Sequence, residues 1–234
     1  MIGVFDSGIG GTTTLNALRE VMPNEDFFYF GDTARNPYGE KSQEELEGIV
    51  TEICDFLIQD KKVKMIVVAC NTATTKCIDF LRRKYPEVIF VGTEPAVKLA
   101  CDSGASNILV MATPGTVESE RMAQLIADSQ REGQTIELVG CPGLADAVES
   151  KDKSSIDTKL KEVLSENIGK KYDVVVLGCT HYILIKDKIQ ELFPGAKLVD
   201  GNKGIAKKAL EELVSHGLTS ESENEGSVEY YFTK

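Results

Sequence analysis

Short apolar runs rich in β-branched residues alternate along this chain with segments whose apolar positions recur every three or four residues. The runs predict strands at Ile2–Phe5, Asp26–Phe30, Lys64–Ala69, Val88–Val91, Asn107–Met111, Ile136–Val139, Asp173–Leu177 and Ala196–Val199. Leu46, Ile49, Val50, Ile53, Phe56 and Leu57 lie on one face of a helix, the spacing that a 3.6-residue period requires. Further helices are predicted over Thr12–Val21, Thr72–Lys84, Pro95–Asp102, Val117–Ser129, Ser155–Asn167, Ile183–Leu192 and Gly204–Ser215. Strand–helix alternation at this spacing builds βαβ units, so the fold class expected is α/β with mostly parallel sheets. Continuous apolar stretches such as Met65-Ile66-Val67-Val68 fit strands covered on both faces.

Ligands of parallel α/β sheets bind beyond the carboxyl ends of the strands. In this chain those ends carry Asp6-Ser7-Gly8-Ile9-Gly10-Gly11, Gly31 to Gly39, Cys70-Asn71-Thr72, Ala112-Thr113-Pro114-Gly115-Thr116 and Gly178-Cys179-Thr180-His181. Small, hydroxylated and thiol groups gather where a core would not call for them. The ends also repeat. Ile66–Thr72 resembles Val175–His181 at an offset of 109, and Ile2–Ser7 resembles Ile108–Thr113 at an offset of 106. Two similar α/β halves are therefore expected, each presenting one cysteine at a strand end, with a cleft between them in which two thiols could face each other.

Charge narrows the function. The chain of 234 residues has 26 basic and 37 acidic side chains, a formal net charge of −11. That balance argues against a nucleic-acid surface, which needs basic groups to neutralise phosphates, and against docking on anionic lipid. At 42% hydrophobic the chain is apolar enough to fold. The N-terminus reads as no secretory signal, and no apolar run approaches the roughly 18 residues of a membrane span. A cytoplasmic protein is expected.

The six cysteines form no C-x-x-C pair, and His181 and His216 complete no zinc spacing, so no metal site is expected. In the cytoplasm these are thiols. Cys54, Cys77 and Cys101 fall inside predicted helices and read as core. Cys141, at a strand end before Pro142, is intermediate. Cys70 and Cys179 each close a buried strand and open a helix, where the positive end of the helix dipole favours a thiolate. His181, two residues after Cys179, can exchange a proton with a thiol or an ammonium group, or be only a helix N-cap or a partly exposed histidine. Asp6 is either a tuned carboxylate or the N-cap of the segment from Gly10. The glycines at 8, 10 and 11 are a poor dinucleotide fingerprint, since Thr13 stands where its last glycine belongs. A carboxylate at that helix N-terminus suits them better.

Phe5–Gly11, Asp32–Gly39, Ala69–Thr74 and Gly178–Tyr182 together resemble the glutamate racemase family, within the aspartate/glutamate racemase superfamily. The resemblance implies a cofactor-free racemase of L- and D-glutamate that supplies peptidoglycan synthesis. It also implies two α/β halves with the site between them, and commonly a homodimer. The halves are expected as residues 1–93 with 201–234, and 94–200. By the same resemblance Cys70 and Cys179 are the two bases, assisted by Asp6 and His181. Ser7, Tyr38, Gly39, Asn71, Thr72, Thr113, Thr116 and Thr180 are implied to contact the substrate, and Glu149 to lie near the cleft.

Three departures from the family pattern stand out. Cys141–Glu149 has small or acidic residues where bulky apolar ones are usual, which bears on side-chain preference. Met122 replaces an aromatic. Tyr230–Thr233 resembles a last strand, after which the sequence lacks the usual helix. The competing readings are an aspartate or broad-specificity racemase, a thiol redox sensor using Cys70 and Cys179, and a glutamate-binding protein without catalysis.

Overall fold

The computed structural model describes all 234 residues. Its nine strands are β1 (Ile2–Asp6), β2 (Phe27–Gly31), β3 (Met65–Val68), β4 (Ile89–Gly92), β5 (Asn107–Ala112), β6 (Thr135–Gly140), β7 (Val174–Leu177), β8 (Lys197–Val199) and β9 (Val228–Phe232). The helices are α1 (Thr12–Val21), α2 (Gln43–Gln59), α3 (Asn71–Lys84), α4 (Val97–Asp102), α5 (Pro114–Val117), α6 (Glu120–Ser129), α7 (Leu144–Ser150), α8 (Lys153–Val163), α9 (Thr180–Leu184), α10 (Lys186–Leu192) and α11 (Asn202–Ser215). The chain divides into one compact unit of Met1–Thr93 with Asn202–Lys234, and a second of Glu94–Gly201.

In the first unit the strand order is β4-β3-β1-β2-β9, and every pairing is parallel. The pleat sends alternate side chains to opposite faces. Phe5 packs with Leu46, Ile53 and Leu57 of α2 and with Ile78 and Leu81 of α3. Ile2 and Val4 face the other way, onto Leu15 and Leu18 of α1 and Ile205 and Ala209 of α11. Each fully buried side chain of this size contributes about 1.5–3 kcal/mol. Thr14 donates to Asn202 Oδ1 at 2.8 Å and so ties the returning chain to α1.

In the second unit the order is β6-β5-β7-β8, again all parallel. Its core likewise lies on both faces of the sheet. Leu144 and Val148 of α7, Leu160 of α8 and Tyr182 of α9 cover one face, and Val97, Ala100 and Met122 cover the other.

The internal repeat is visible in the register. β2-β1-β3-β4 and β6-β5-β7-β8 are the same arrangement of four strands. Phe5 pairs with Val68, and their repeat counterparts Met111 and Leu177 pair with each other.

Strand positions follow the sequence expectation to within two residues. Four helical regions differ. The helix expected over Val117–Ser129 is two, because Ser119 leaves helical geometry and its side chain caps α6 by accepting from the Met122 N–H. The segment Ile183–Leu192 is broken at Ile185 and begins earlier, at Thr180. The short α7 has no counterpart among the expected helices. Its seven residues are too few for a clear period, and it follows Gly143 at φ +68°. The helix expected from Ser155 begins at Lys153 instead, since Asp152 accepts from the Ser154 and Ser155 amides.

Candidate active site

In the first unit, β1, β2 and β3 end side by side, and the candidate residues follow these ends. Asp6 is wholly buried and closes β1. Its Oδ2 accepts from the Gly11 N–H at 2.9 Å and the Gly8 N–H at 3.3 Å. The N-cap of α1 is Gly11 rather than Asp6, and the carboxylate instead holds the turn that leads into that helix. A side chain at position 11 would meet Asp6 Cβ at 2.5 Å, so only glycine lets the turn close on Asp6. The Tyr29 hydroxyl fixes the same turn from β2, donating to the Gly8 carbonyl at 2.6 Å.

Cys70 follows β3 and is itself the N-cap of α3. Its Sγ accepts from the Ala73 N–H at 3.5 Å and lies 3.9 Å from Ser7 Oγ. An N–H donor and the helix dipole both favour the thiolate. Asn71 and Thr72 are buried beside it. Asn71 Oδ1 is buried and has no hydrogen-bond partner within the protein. Buried acceptors rarely go unsatisfied, so this one suits a donor from a ligand. Thr93, just past β4, has a similarly buried and unpartnered hydroxyl, and the sequence reading missed it. Its position after a strand end was the available signal.

Tyr38 arrives on the loop after β2 and is 2% exposed, while Gly39 is partly buried. The Tyr38 hydroxyl donates to Asp32 Oδ2 at 2.6 Å. Burial, then the charge of Asp32, hold the phenol far above its usual pKa, so it remains a neutral donor.

The second unit repeats this arrangement with different partners. Cys179 follows β7 and caps α9, but its Sγ takes no helix amide. It lies 3.7 Å from His181 Nδ1. His181 is 1% exposed, which rules out a solvent-facing histidine. Its Nε2 is 2.6 Å from Glu149 Oε1, on α7. An ionised carboxylate only accepts, so Nε2 carries the proton of this bond and Nδ1 is the ring atom left facing the thiol. Glu149 was expected only near the site. It proves to be the imidazole's partner, on the helix the sequence pattern did not disclose. Thr113 and Thr116 are buried past β5, with Thr113 Oγ1 donating to Thr116 Oγ1 at 3.0 Å. Thr180 is buried at the start of α9.

The remaining thiols are core. All six cysteines are unpaired and buried. Burial pushes the Cys77 and Cys141 thiols up to about 12, and Cys54 and Cys101 also upward. Cys141 therefore packs as a neutral group, its Sγ 3.7 Å from the Val139 carbonyl oxygen. No cluster of three His, Cys, Asp or Glu side chains could hold a metal ion, and no helix is long and apolar enough to cross a membrane.

Residues 12–209 match the family model described as Asp/Glu/Hydantoin racemase. A glutamate racemase of Clostridium perfringens is 37% identical over 98% of this chain and 89% of its own length. Among solved structures, the glutamate racemase of Francisella tularensis in complex with D-glutamate is 31% identical, with a TM-score of 0.83. That match covers 100% of this chain and 88% of the other. The Escherichia coli glutamate racemase, in complex with L-glutamate and the activator UDP-MurNAc-Ala, is 30% identical with a TM-score of 0.84. It covers 97% of this chain and 88% of its own.

Proposed function

This chain belongs to the Asp/Glu racemase family, and we propose that it interconverts L- and D-glutamate by a two-thiol, cofactor-independent route. The observation that carries this reading is the repeat: matching registers in two sheets end on Cys70 and Cys179, the only two cysteines that follow strands and cap helices. Racemisation needs one base and one acid acting on opposite faces of Cα, and each must serve in both roles because the reaction runs both ways. One thiolate takes the Cα proton, and the thiol of the other unit delivers a proton to the opposite face.

His181 exchanges the Cys179 proton through Nδ1, and Glu149 fixes its tautomer. Asp6 stands at the end of β1, beside the strand that leads to Cys70, and assists there. The Asn71 carbonyl oxygen is suited to the substrate ammonium group. Ser7, Thr72, Thr113, Thr116 and Thr180 offer hydroxyls to carboxylates, and the Tyr38–Gly39 turn closes on the same ligand. Buried donors aimed at the carboxylate would stabilise charge as Cα is deprotonated. Glutamate is favoured over aspartate because the similar proteins named above are glutamate racemases. The D-glutamate made this way would feed peptidoglycan synthesis.

The test is circular dichroism of D-glutamate with the protein, under reducing conditions and without cofactor. The signal should decay to zero with wild type and persist with Cys70→Ala and Cys179→Ala. Decay with D-aspartate alone would move the substrate and keep the chemistry. No decay with either would remove the racemase reading. Rescue of a D-glutamate-requiring bacterium tests the biosynthetic role.

A further inference from the structure

Strand β9 adds to the edge of β2 in parallel register, with Gly31 opposite Phe232. Phe232 lies over Gly31 so closely that a Cβ there would meet its Cδ1 at 2.4 Å. The next residue, Thr233, makes four hydrogen bonds, all to the last residue of β2 or the loop after it. Its N–H donates to the Gly31 carbonyl at 3.0 Å, and its own carbonyl accepts from the Thr33 hydroxyl. Its hydroxyl accepts from the Ala34 N–H at 2.9 Å and donates to Asp32 Oδ1 at 3.0 Å. That hydroxyl therefore serves as donor and acceptor at once.

Asp32 is the hub of the loop. It is wholly buried, and its other oxygen accepts from Arg35 Nε at 2.7 Å and the Tyr38 hydroxyl at 2.6 Å. Thr233 thus reaches Tyr38 through one carboxylate. The residues between are half-exposed and carry no regular structure beyond the single turn Thr33–Arg35. Besides Thr233, the Asp32 N–H donates to the Asp6 carbonyl at 2.9 Å at the start of this segment, and Arg35 pairs with Glu52 on the exposed side of α2. An exposed ion pair fixes little.

We infer that Thr233 is a positioning residue: by orienting Asp32 and Ala34 it holds the Asp32–Gly39 loop, and with it Tyr38, ready to bind the substrate. The role in binding rests on the proposal that this turn contacts glutamate. The hold on the loop does not, and the two are measured separately.

Thr233→Val keeps the β-branched shape and removes the hydroxyl, leaving Asp32 Oδ1 and the Ala34 N–H without it. Thr233→Ser restores it. Hydrogen–deuterium exchange read by mass spectrometry reports the loop directly. T233V should speed exchange across residues 32–39 by about tenfold, the loss expected for a hydrogen bond to a charged acceptor, and leave β1, β3 and the second unit unchanged. In racemisation assays T233V should raise KM for glutamate about tenfold, with kcat within about twofold. T233S should match wild type in both measurements. Unchanged exchange in the loop, or faster exchange throughout the first unit, would overturn the positioning role. A fall in kcat at constant KM would overturn its link to binding. A wild-type protein that does not racemise glutamate would remove the proposed reaction, while exchange would still decide what Thr233 holds.

Discussion

The two strand ends that carry Cys70 and Cys179 share a backbone and differ in chemistry. Cys70 is held by its helix, with the Ala73 amide on sulfur and the Ser7 hydroxyl nearby. Cys179 receives no such amide and instead faces an imidazole backed by a carboxylate. Repeated strands can therefore deliver the same atom to the same place, while the loops and short helices around it decide how its proton is managed. In the first unit that environment includes an amide and a hydroxyl, with the Asp6 carboxylate at the end of the adjoining strand. In the second it is a titratable pair.

The largest effect should come from removing either sulfur. Cys70→Ala and Cys179→Ala should each lower kcat by about a thousandfold or more, the scale of losing a base or acid. Cys54→Ala and Cys77→Ala should leave kcat within about twofold, though they remove buried volume. Equal losses at all four positions, in steady-state assays, would erase the distinction between strand-end and core thiols.

Glu149→Gln comes next. It keeps the size of the side chain and abolishes its charge, so it should lower kcat/KM about 10- to 100-fold. The two enantiomers of glutamate have equal free energy, so kcat/KM must fall equally in both directions. The Cα-deuterium isotope effect need not. It should grow more in the direction in which Cys179 removes the proton, and an identical change in both directions would count against a relay confined to one unit.

A smaller effect appears in stability at high pH. The folded Cys77 and Cys141 thiols are raised to about 12, whereas in the unfolded chain they ionise near the ordinary 9.0. Both raised values mean stability that is full below pH 9 and lost as pH rises toward 12. Each thiol should steepen the fall by up to about 1.4 kcal/mol per pH unit, seen as a declining melting temperature. Cys141→Ala should flatten that decline, and an unchanged slope would argue against a buried neutral thiol at this position.

Much of the fold was legible because buried parallel strands announce themselves. Met65–Val68 and Val174–Leu177 are continuous apolar runs, and each is followed at once by its cysteine and a helix. The candidate residues were legible for the same reason, since they sit in the few positions after each strand. What escaped depended on contacts made across the chain. Glu149 lies 32 residues from His181 and rides on a seven-residue helix with no readable period. Thr233 is 201 residues from Asp32, and nothing in its neighbours says that its hydroxyl reaches back. The breaks at Ser119 and Ile185 were hidden because the apolar spacing continues through them, while capping and backbone geometry interrupt the helix.

The central claim is that two different thiols act on opposite faces of one carbon. It is tested most directly by running D-glutamate to low conversion in deuterium oxide and analysing both enantiomers for deuterium at Cα. The two-thiol account predicts that the L-glutamate formed carries deuterium from the outset, delivered by the second thiol, while unreacted D-glutamate keeps its protium. L-Glutamate that retains the original hydrogen, or D-glutamate that exchanges before any inversion, would show a single base working on one proton and would contradict the account.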